Sequence, residues 1–289
     1  MSSFILLPRA PVPVKIRLGQ GFKIVARAEK PYVPIIKAND YIEEYRARAL
    51  SSDINEITGR TGRRDLTDFV TSNIVAKLDI SPTATLVDIG CGDGSVLKRA
   101  SSESKAAIFI GIVATNEERK RVQDYLQSSR IEIRAGLADA TGLPDGFADT
   151  IVCNGVLPCV PDVDGAIREI ARISKRGARV FIGEIPKINE LIGKTYGDSI
   201  TKWLYFVLQN QGVKAFGLQL RRVVKALFST EPFIISPKKA FYRKPEEFKF
   251  MFERHGFWLI EWFPHLEISP TGVVYESPTR IDYLFGRCK

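Results

Sequence analysis

The chain has 289 residues, of which 45% are hydrophobic and 26% are charged, a composition typical of a globular protein. No apolar stretch reaches the roughly 18 residues that a membrane span requires. The first residues include a short apolar run without a leading positive charge, so we expect no secretory leader and a cytoplasmic location. The four cysteines form no C-x-x-C pair and there are only two histidines, so we expect reduced thiols and no metal site.

The formal net charge of +9 is concentrated in two segments. Residues 1–37 carry seven Lys and Arg against one acid, and residues 187–244 carry eleven against three, so the rest of the chain is acidic. Basic segments attract anionic partners such as phosphorylated substrates, acidic lipid headgroups or nucleic acid. A solvated surface that keeps the protein soluble explains them equally well.

The hydrophobic pattern first predicts two helices, over residues 38–50 and 64–78. Strands and helices then alternate strictly. The predicted strands are TLVDIG, AIFIGIVA, IEIRAG, FADTIVCNG and ARVFIGEI, and the predicted helices are GSVLKRAS, NEERKRVQDYLQSS and DVDGAIREIARIS. After an interruption, the pattern predicts the helix KPEEFKFMFERHG and two strands joined by a short turn, FWLIEWFPHLEIS and SPTRIDYLFGRC.

This alternation predicts an α/β fold: a Rossmann-like open seven-stranded sheet, mostly parallel with one reversed strand, and helices on both faces. The final two strands must be antiparallel to each other because their connection is short. We divide the chain into a basic extension with a lid helix (1–63), a core (64–186), a basic substrate cap (187–240) and the end of the core (241–289).

The stretch LVDIGCGDGSVL, residues 86–97, places three glycines between two apolar runs. Ligands of open α/β sheets bind at the carboxyl ends of the strands, where glycines let the backbone turn tightly and approach the ligand. The pattern is neither the dinucleotide signature G-x-G-x-x-G nor a phosphate-binding P-loop. It places an acid, Asp88, before Gly90, Gly92 and Gly94, and has no lysine to hold phosphate.

VDIGCGDG resembles the first motif of class I S-adenosylmethionine-dependent methyltransferases, and the segment from AGLADATGLPDG to VFIGEIP continues the resemblance. The match covers about residues 64–186 and 240–289 and is closest to the branch that includes quinone, sterol and sugar methyltransferases. It implies that S-adenosylmethionine is the cofactor. The residues that it places at the cofactor are Asp88, Gly90, Cys91, Gly92 and Gly94 at the amino-acid end, Val113 and Ala114 after the second strand, Asp139 and Ala140 at the adenine, and Asn154 and Gly155 at the sulfonium.

One position departs from the family. The second strand of these enzymes usually ends with Asp or Glu, which accepts hydrogen bonds from the ribose, whereas Val113 stands there in this chain. Thr115, Asn116 or Glu117 would have to replace the missing carboxylate, or water would hold the ribose. A catalytically silent domain is the alternative that this departure leaves open.

Two residues are candidates for catalysis. His265 is predicted at the carboxyl end of the sixth strand and is our candidate general base, because a hydroxyl acceptor must lose a proton. Glu184 ends the fifth strand and is the second candidate. A histidine bonded to backbone and a carboxylate bonded to loop amides are the structural alternatives. His255 is more typical of a helix C-terminus.

The function predicted from these features is O-methylation of a small molecule or glycan, with a nucleotide- or lipid-linked sugar among the acceptors and a role in glycan biosynthesis. C-methylation of a quinone or other lipid is the first alternative. A silent module that binds anionic partners is the second. The partners expected are a small-molecule or glycan substrate, phosphorylated or lipid-linked, and a membrane surface contacted peripherally through residues 200–228 on its inner face. Nucleic acid is disfavoured because no recognisable binding module is present.

Overall fold

A computed structural model describes residues 38–51, 54, 57, 58, 60, 63–104, 108–186, 200–227 and 244–288. The basic extension over residues 1–37 lies outside them. Residues 187–199 and 228–240 of the predicted cap also lie outside them. The chain divides into two compact units. One comprises Ala28–Asn189 and Lys238–Lys289, and the described part of the other is a single long helix.

The described residues form seven helices and seven strands, and each predicted element of the core is present. The helices are α1 (Ala38–Ala49), α2 (Arg64–Val75), α3 (Ser95–Glu103), α4 (Asn116–Leu126), α5 (Val163–Ile173), α6 (Ile200–Leu227) and α7 (Pro245–Glu253). The strands are β1 (Thr85–Ile89), β2 (Ile108–Val113), β3 (Ile131–Ala135), β4 (Ala148–Asn154), β5 (Ser174–Pro186), β6 (Phe257–Ile268) and β7 (Val274–Arg287). A 3₁₀ turn, Leu157–Cys159, follows β4.

The strands form one sheet in the order β3-β2-β1-β4-β5-β7-β6. The first five are parallel, and β7 runs antiparallel to both of its neighbours. The predicted fold class, an open and mostly parallel sheet with one reversed strand near its edge, is confirmed. Because β7 is reversed, its first half lies at the edge of the sheet where the parallel strands end. The order of the strands reverses beside β1, which is where ligands bind in such folds.

Alternate residues of β1 pack into two separate hydrophobic clusters, one on each face of the sheet. Val87 and Ile89 belong to the cluster that includes buried residues of α5 and α7, whereas Leu86 belongs to the cluster under α2, α3 and α4. All five residues of β1 are buried, as expected for a strand covered on both faces. The strict alternation thus positions the sheet between two layers of helices.

Aromatic rings fix helix α7 on the reversed strand. Phe252 stacks on Phe285 with ring centroids 4.3 Å apart, and Phe248 meets Tyr283 at 4.8 Å. All four side chains are fully buried. Since β7 has no crossover helix of its own, this packing is what joins it to the helical layer.

Three of the four cysteines lie in the core. Cys91, Cys153 and Cys159 are buried, and Cys288 is exposed directly after β7. Burial raises the pKa of the Cys91 and Cys153 thiols, so both thiols are neutral at ordinary pH. Their environment is that of small apolar core residues.

Helix α6 spans 28 residues and is interrupted at Gly212, where φ is 82° and ψ is 175°. A glycine adopts this conformation without strain, so the helix consists of two halves. Among the described residues, no helix combines the length and the apolar character that crossing a membrane would need.

The aromatic cluster generates a stability prediction. Phe252→Ala should lower the free energy of unfolding by about 3–5 kcal/mol, because it removes a buried ring and leaves a cavity. Phe250→Ala, an exposed position on the same helix, is the matched control and should change it by less than about 0.5 kcal/mol. Urea unfolding followed by circular dichroism measures both. Equal losses in the two variants would contradict the packing role.

Candidate active site

The turn between β1 and α3 is built from backbone that only glycine adopts readily. Gly90, Gly92 and Gly94 have φ values of 69°, 56° and 75°. Any side chain at Gly90 would collide with Val156, and a Cβ at Gly94 would lie 2.6 Å from Leu126 Cδ1. The loop is therefore closed to side chains, and its backbone is presented at the carboxyl edge of the sheet.

Asp88, directly before this turn, is a buried carboxylate without a counter-charge. It is 2% exposed, and no hydrogen bond or ion pair to it is present among the described residues. Burial raises its pKa well above the usual range, and the nearby Asp93 carboxylate adds to that rise. Burying an unpaired charge is unfavourable, so this site is complementary to a cation that the protein itself does not supply.

Asp93, by contrast, is fully partnered. Arg64 of α2 donates to its Oδ2 at 2.7 Å, and the Ser95 backbone N–H donates to its Oδ1 at 3.0 Å. A second nitrogen of Arg64 donates to Ser95 Oγ at 3.1 Å. Arg64 thus fixes the start of α3 against α2, and with it the second half of the glycine loop.

At the end of β2, two of the three residues that the sequence offered in place of the missing carboxylate are already partnered. Val113 is buried in the core, and Thr115 caps α4 by accepting from the Glu118 backbone N–H at 3.1 Å. Glu117 is paired with Arg46 at 3.2 Å. The carboxylate that lies in this turn is that of Glu118, whose Oε2 accepts from the Thr115 backbone N–H at 3.1 Å.

Glu118 was missed in the sequence, although T-x-x-E is the signature of such a capping box. Its side chain is almost completely buried. Burial raises its pKa to about 7 in spite of the hydrogen bonds from Thr115, which lower it. The Cys91 thiol of the glycine loop is close enough for the Glu118 charge to raise its pKa. A group that titrates near neutrality thus lies between the glycine loop and the end of β2.

The turn after β3 places Asp139 at the surface. Leu137 and Ala140 exchange two backbone hydrogen bonds of 3.1 and 3.0 Å, which leaves Asp139 at the tip of a tight turn. Gly136 donates to the Val113 carbonyl at 2.8 Å, so this turn is anchored to the end of β2. The Asp139 carboxylate is exposed to solvent.

Glu184 lies at the centre of an ionic cluster at the end of β5. Its carboxylate accepts from Arg60, from Arg280 at 2.8 Å and from the Asn154 amide at 3.1 Å. Burial alone would raise the pKa of Glu184, but the Arg60 and Arg280 guanidiniums outweigh it and hold the pKa well below the usual range. Its backbone has a φ of 58°, an uncommon value for a residue other than glycine.

These contacts suit Glu184 to positioning rather than to accepting a proton. A carboxylate with a strongly lowered pKa is a weak base, and both of its oxygens are already bonded. The Oδ1 atom of Asn154 has no hydrogen-bond partner among the described residues and is buried. The Glu184 contact fixes the orientation of the Asn154 amide.

His265 and Asp282 form a buried pair next to this cluster. His265 Nδ1 lies 3.0 Å from Asp282 Oδ1, and the same oxygen accepts from the Glu184 backbone N–H at 2.8 Å. Burial disfavours the charged ring, but the Asp282 carboxylate outweighs it and raises the pKa of His265. His265 Nε2 has no hydrogen-bond partner within the described part of the chain. His265 also lines a small cavity against α2.

The connection between α1 and α2 reaches both halves of the site. A Cβ at Gly92 would lie 3.1 Å from Thr58 Cγ2, so Thr58 lies against the glycine loop. Two residues further on, Arg60 reaches the Glu184 carboxylate. The basic extension over residues 1–37 lies outside the described residues, whereas this connection lies directly at the site.

Comparison with known proteins identifies the domain. A family model described as a methyltransferase domain matches residues 87–182, from β1 to β5. Methyltransferase GfsG of Streptomyces halstedii is 30% identical over 120 residues, which are 40% of this chain and 43% of that protein. Residues 87–182 thus match a methyltransferase domain, as the resemblance to class I methyltransferases implies. S-adenosylmethionine is the methyl donor of this class, and the unpaired Asp88 carboxylate beside the glycine loop fits its cationic groups.

The similarity to curated proteins covers less than half of this chain. The ubiquinone/menaquinone biosynthesis C-methyltransferase UbiE of Caulobacter sp. (strain K31) is 28% identical over 133 residues, 43% of this chain and 53% of that protein. The chain thus spans about half the length of the curated relatives it matches. The solved structure of the [4+2]-cyclase SpnF superposes with a TM-score of 0.60 at 14% identity, over 90% of this chain and 99% of that one. At that identity the likeness shows the fold alone.

Glu118 makes the stability of the fold depend on pH. Its folded-state pKa of about 7 exceeds the 4.5 of an ordinary Glu, so the folded form binds the extra proton between these values. The free energy of unfolding should therefore fall as pH rises from 5 to 8, by roughly 2–3 kcal/mol relative to Glu118→Gln, which keeps an oxygen acceptor. Thermal melts across this range measure the difference.

Glu117→Gln is the matched control for this titration. Glu117 is the neighbouring carboxylate on the same helix turn, it is largely solvated, and its ion pair with Arg46 is of the exposed kind. Its removal should leave the pH profile parallel to that of the wild type. A parallel profile for Glu118→Gln as well would contradict a raised pKa at that residue.

Proposed function

We propose that this protein transfers the methyl group of S-adenosylmethionine to a hydroxyl group of a small molecule or glycan. The observation that carries the cofactor assignment is the buried, unpartnered Asp88 carboxylate beside the glycine loop. The cofactor supplies an electrophilic methyl group on a cationic sulfur and leaves as the neutral thioether. The chain must hold its charged end, align the acceptor and remove one proton.

Four groups of residues share these tasks. Asp88 and the amides of the glycine loop receive the amino-acid end, and Asp139 accepts from the adenine amine. Glu118 takes the place of the missing carboxylate after β2 and accepts from a ribose hydroxyl through its Oε1. Asn154 and Gly155 line the position of the transferred methyl group.

The His265–Asp282 pair supports oxygen as the acceptor atom. A hydroxyl loses its proton when the methyl–oxygen bond forms, and the proton passes to His265 Nε2. Asp282 fixes the ring through Nδ1 and stabilises its charged form, as carboxylate partners of catalytic histidines do. Glu184 holds Asp282 and Asn154 in register, and is a positioning residue in this proposal.

C-methylation of a quinone or other lipid is the second candidate function. The observation in its favour is the 28% identity with UbiE over the shared core. A third possibility is that the domain binds anionic partners without transferring a methyl group. The three functions make different demands on the same residues, so two experiments separate them.

Calorimetric titration with S-adenosylhomocysteine tests the cofactor site. Asp88→Asn should bind at least tenfold more weakly than the wild type, because hydrogen bonds to charged groups contribute about 1.5–3 kcal/mol. The same change should raise the melting temperature at neutral pH, since a carboxyl whose pKa is raised on folding destabilises the fold above its unfolded pKa. Asp124→Asn, on the exposed side of α4, is the control and should alter neither value. Unchanged affinity in Asp88→Asn would refute the assignment.

The same titration tests Glu118 when it is repeated at pH 6 and pH 8. Ligand hydroxyls that donate to its carboxylate favour the ionised form, so wild-type affinity should rise with pH. In Glu118→Gln the affinity should be independent of pH over this range. A rise in both proteins would assign the effect to a different group.

Transfer of a labelled methyl group to panels of sugars and of quinols tests the acceptor. His265→Gln should lower the turnover of a hydroxyl acceptor by about 10²–10⁴-fold without changing S-adenosylhomocysteine affinity. His255→Gln is the matched control, because the His255 ring, just after α7, pairs with Asp164 of α5. Transfer to quinol carbon that survives His265→Gln would favour C-methylation. Cofactor binding without transfer to any acceptor would favour the silent module.

A further inference from the structure

Helix α6 carries charge of one sign only. Its 28 residues include five Lys and Arg and no Asp or Glu. Surface helices normally mix both signs, which stabilises them through pairs three or four residues apart. A helix without an acid has no such pairs of its own, and it presents its positive charge to whatever lies opposite.

The same helix exposes large apolar side chains. Val213 is 76% exposed, and five others with exposed side chains lie along the helix: Tyr205, Leu208, Leu218, Leu220 and Val224. They are six of the fourteen large exposed apolar residues among the described positions, although α6 is only one of seven helices. Exposed apolar groups that cluster in this way mark an interaction surface.

Three of the four large apolar residues exposed after the Gly212 interruption form a stripe, and Leu218 lies on another side of the helix. Val213, Leu220 and Val224 are spaced by seven and four residues, which places them within about 40° of one another on a helix that turns 100° per residue. Lys214 and Arg221 each follow a stripe residue by one position, so both lie on the same flank, about 80–100° from its centre. Val223, on another side of the helix, is buried. Exposure is therefore uneven around the helix, and the apolar stripe is on an exposed side.

We propose that the α6 stripe (Val213, Leu220 and Val224), with Lys214 and Arg221 at its edge, binds the surface of an anionic lipid bilayer. An apolar arc with cations along one edge and no acids is typical of helices that lie in the headgroup region. The arc inserts beside the acyl chains while the cations meet lipid phosphates. Helix α6 is not apolar enough to cross the bilayer, so the contact is peripheral. The proposal does not depend on methyl transfer.

A nucleic acid or a second copy of the chain fits the surface less well. Nucleic acid would use the cations and stacking aromatic rings, and it gives no role to three aliphatic side chains. A second copy would bring the same positive charge against itself. An anionic bilayer satisfies the apolar and the charged groups together.

Co-sedimentation of the full-length protein with sucrose-loaded vesicles tests the proposal. Vesicles of phosphatidylcholine with 30% phosphatidylglycerol should pellet the protein at 100 mM salt, and pure phosphatidylcholine should bind it at least tenfold more weakly. The triple variant Val213→Ser, Leu220→Ser, Val224→Ser should lose at least tenfold in affinity. The double variant Lys214→Glu, Arg221→Glu should lose as much.

The matched control is Arg119→Glu with Lys120→Glu, two exposed residues of α4, because it changes the net charge by the same amount. It should lose no more than about twofold. Equal losses in the two charge-reversal variants would assign binding to net charge and overturn the proposal. So would a triple variant that binds like the wild type, since the partner would then be any polyanion.

Two further results would also overturn it. One is wild-type protein that stays in the supernatant with anionic vesicles at low salt. The other is a wild-type dimer in sedimentation velocity that the triple variant abolishes, because a second copy would then cover the stripe. Far-ultraviolet circular dichroism of each variant verifies folding, and the substituted side chains are exposed, so unfolding is not expected. Cofactor titration of the triple variant separates this outcome from failure of the proposed activity.

Discussion

The Glu184 carboxylate joins segments of chain that are far apart in sequence. Arg60 comes from the connection before α2, 124 positions away, and Arg280 comes from β7, 96 positions away. Asn154 comes from the end of β4. A buried carboxylate needs compensation from every side, so its burial requires all three segments to be in place. The geometry at the ends of β4, β5 and β6 follows from this requirement.

The reversed strand is what makes that arrangement possible. In a purely parallel sheet, only the ends of strands reach the ligand edge. Because β7 runs the other way, its middle residues Arg280 and Asp282 lie near this edge, while the last part of β6 places His265 there. The aromatic packing of α7 on β7 holds the strand there. A feature of the topology therefore supplies the polar groups that a parallel sheet could not place.

How much of this could be predicted depends on the range of the interaction. The glycine turn and the order of strands and helices follow from local backbone preference and periodicity, and they were found where predicted. His265 was also expected at this edge. Its partner Asp282 and the Arg60–Glu184–Arg280 cluster were not, because the spacing of charged residues along a chain does not reveal which of them meet. Glu118 carried a local signal, the T-x-x-E capping box, but it lies just after residues 115–117, where a replacement for the missing carboxylate was expected.

The buried cysteines and the exposed one have a consequence for handling the protein. All four thiols are described, and three are enclosed in core where reagents and oxidants reach them only when the fold opens. Cys288 alone is accessible in the folded state. A thiol-reactive fluorophore is thus expected to modify Cys288 alone in the folded protein. The ratio of labelled Cys288 to labelled core thiols then serves as a measure of how intact a preparation is.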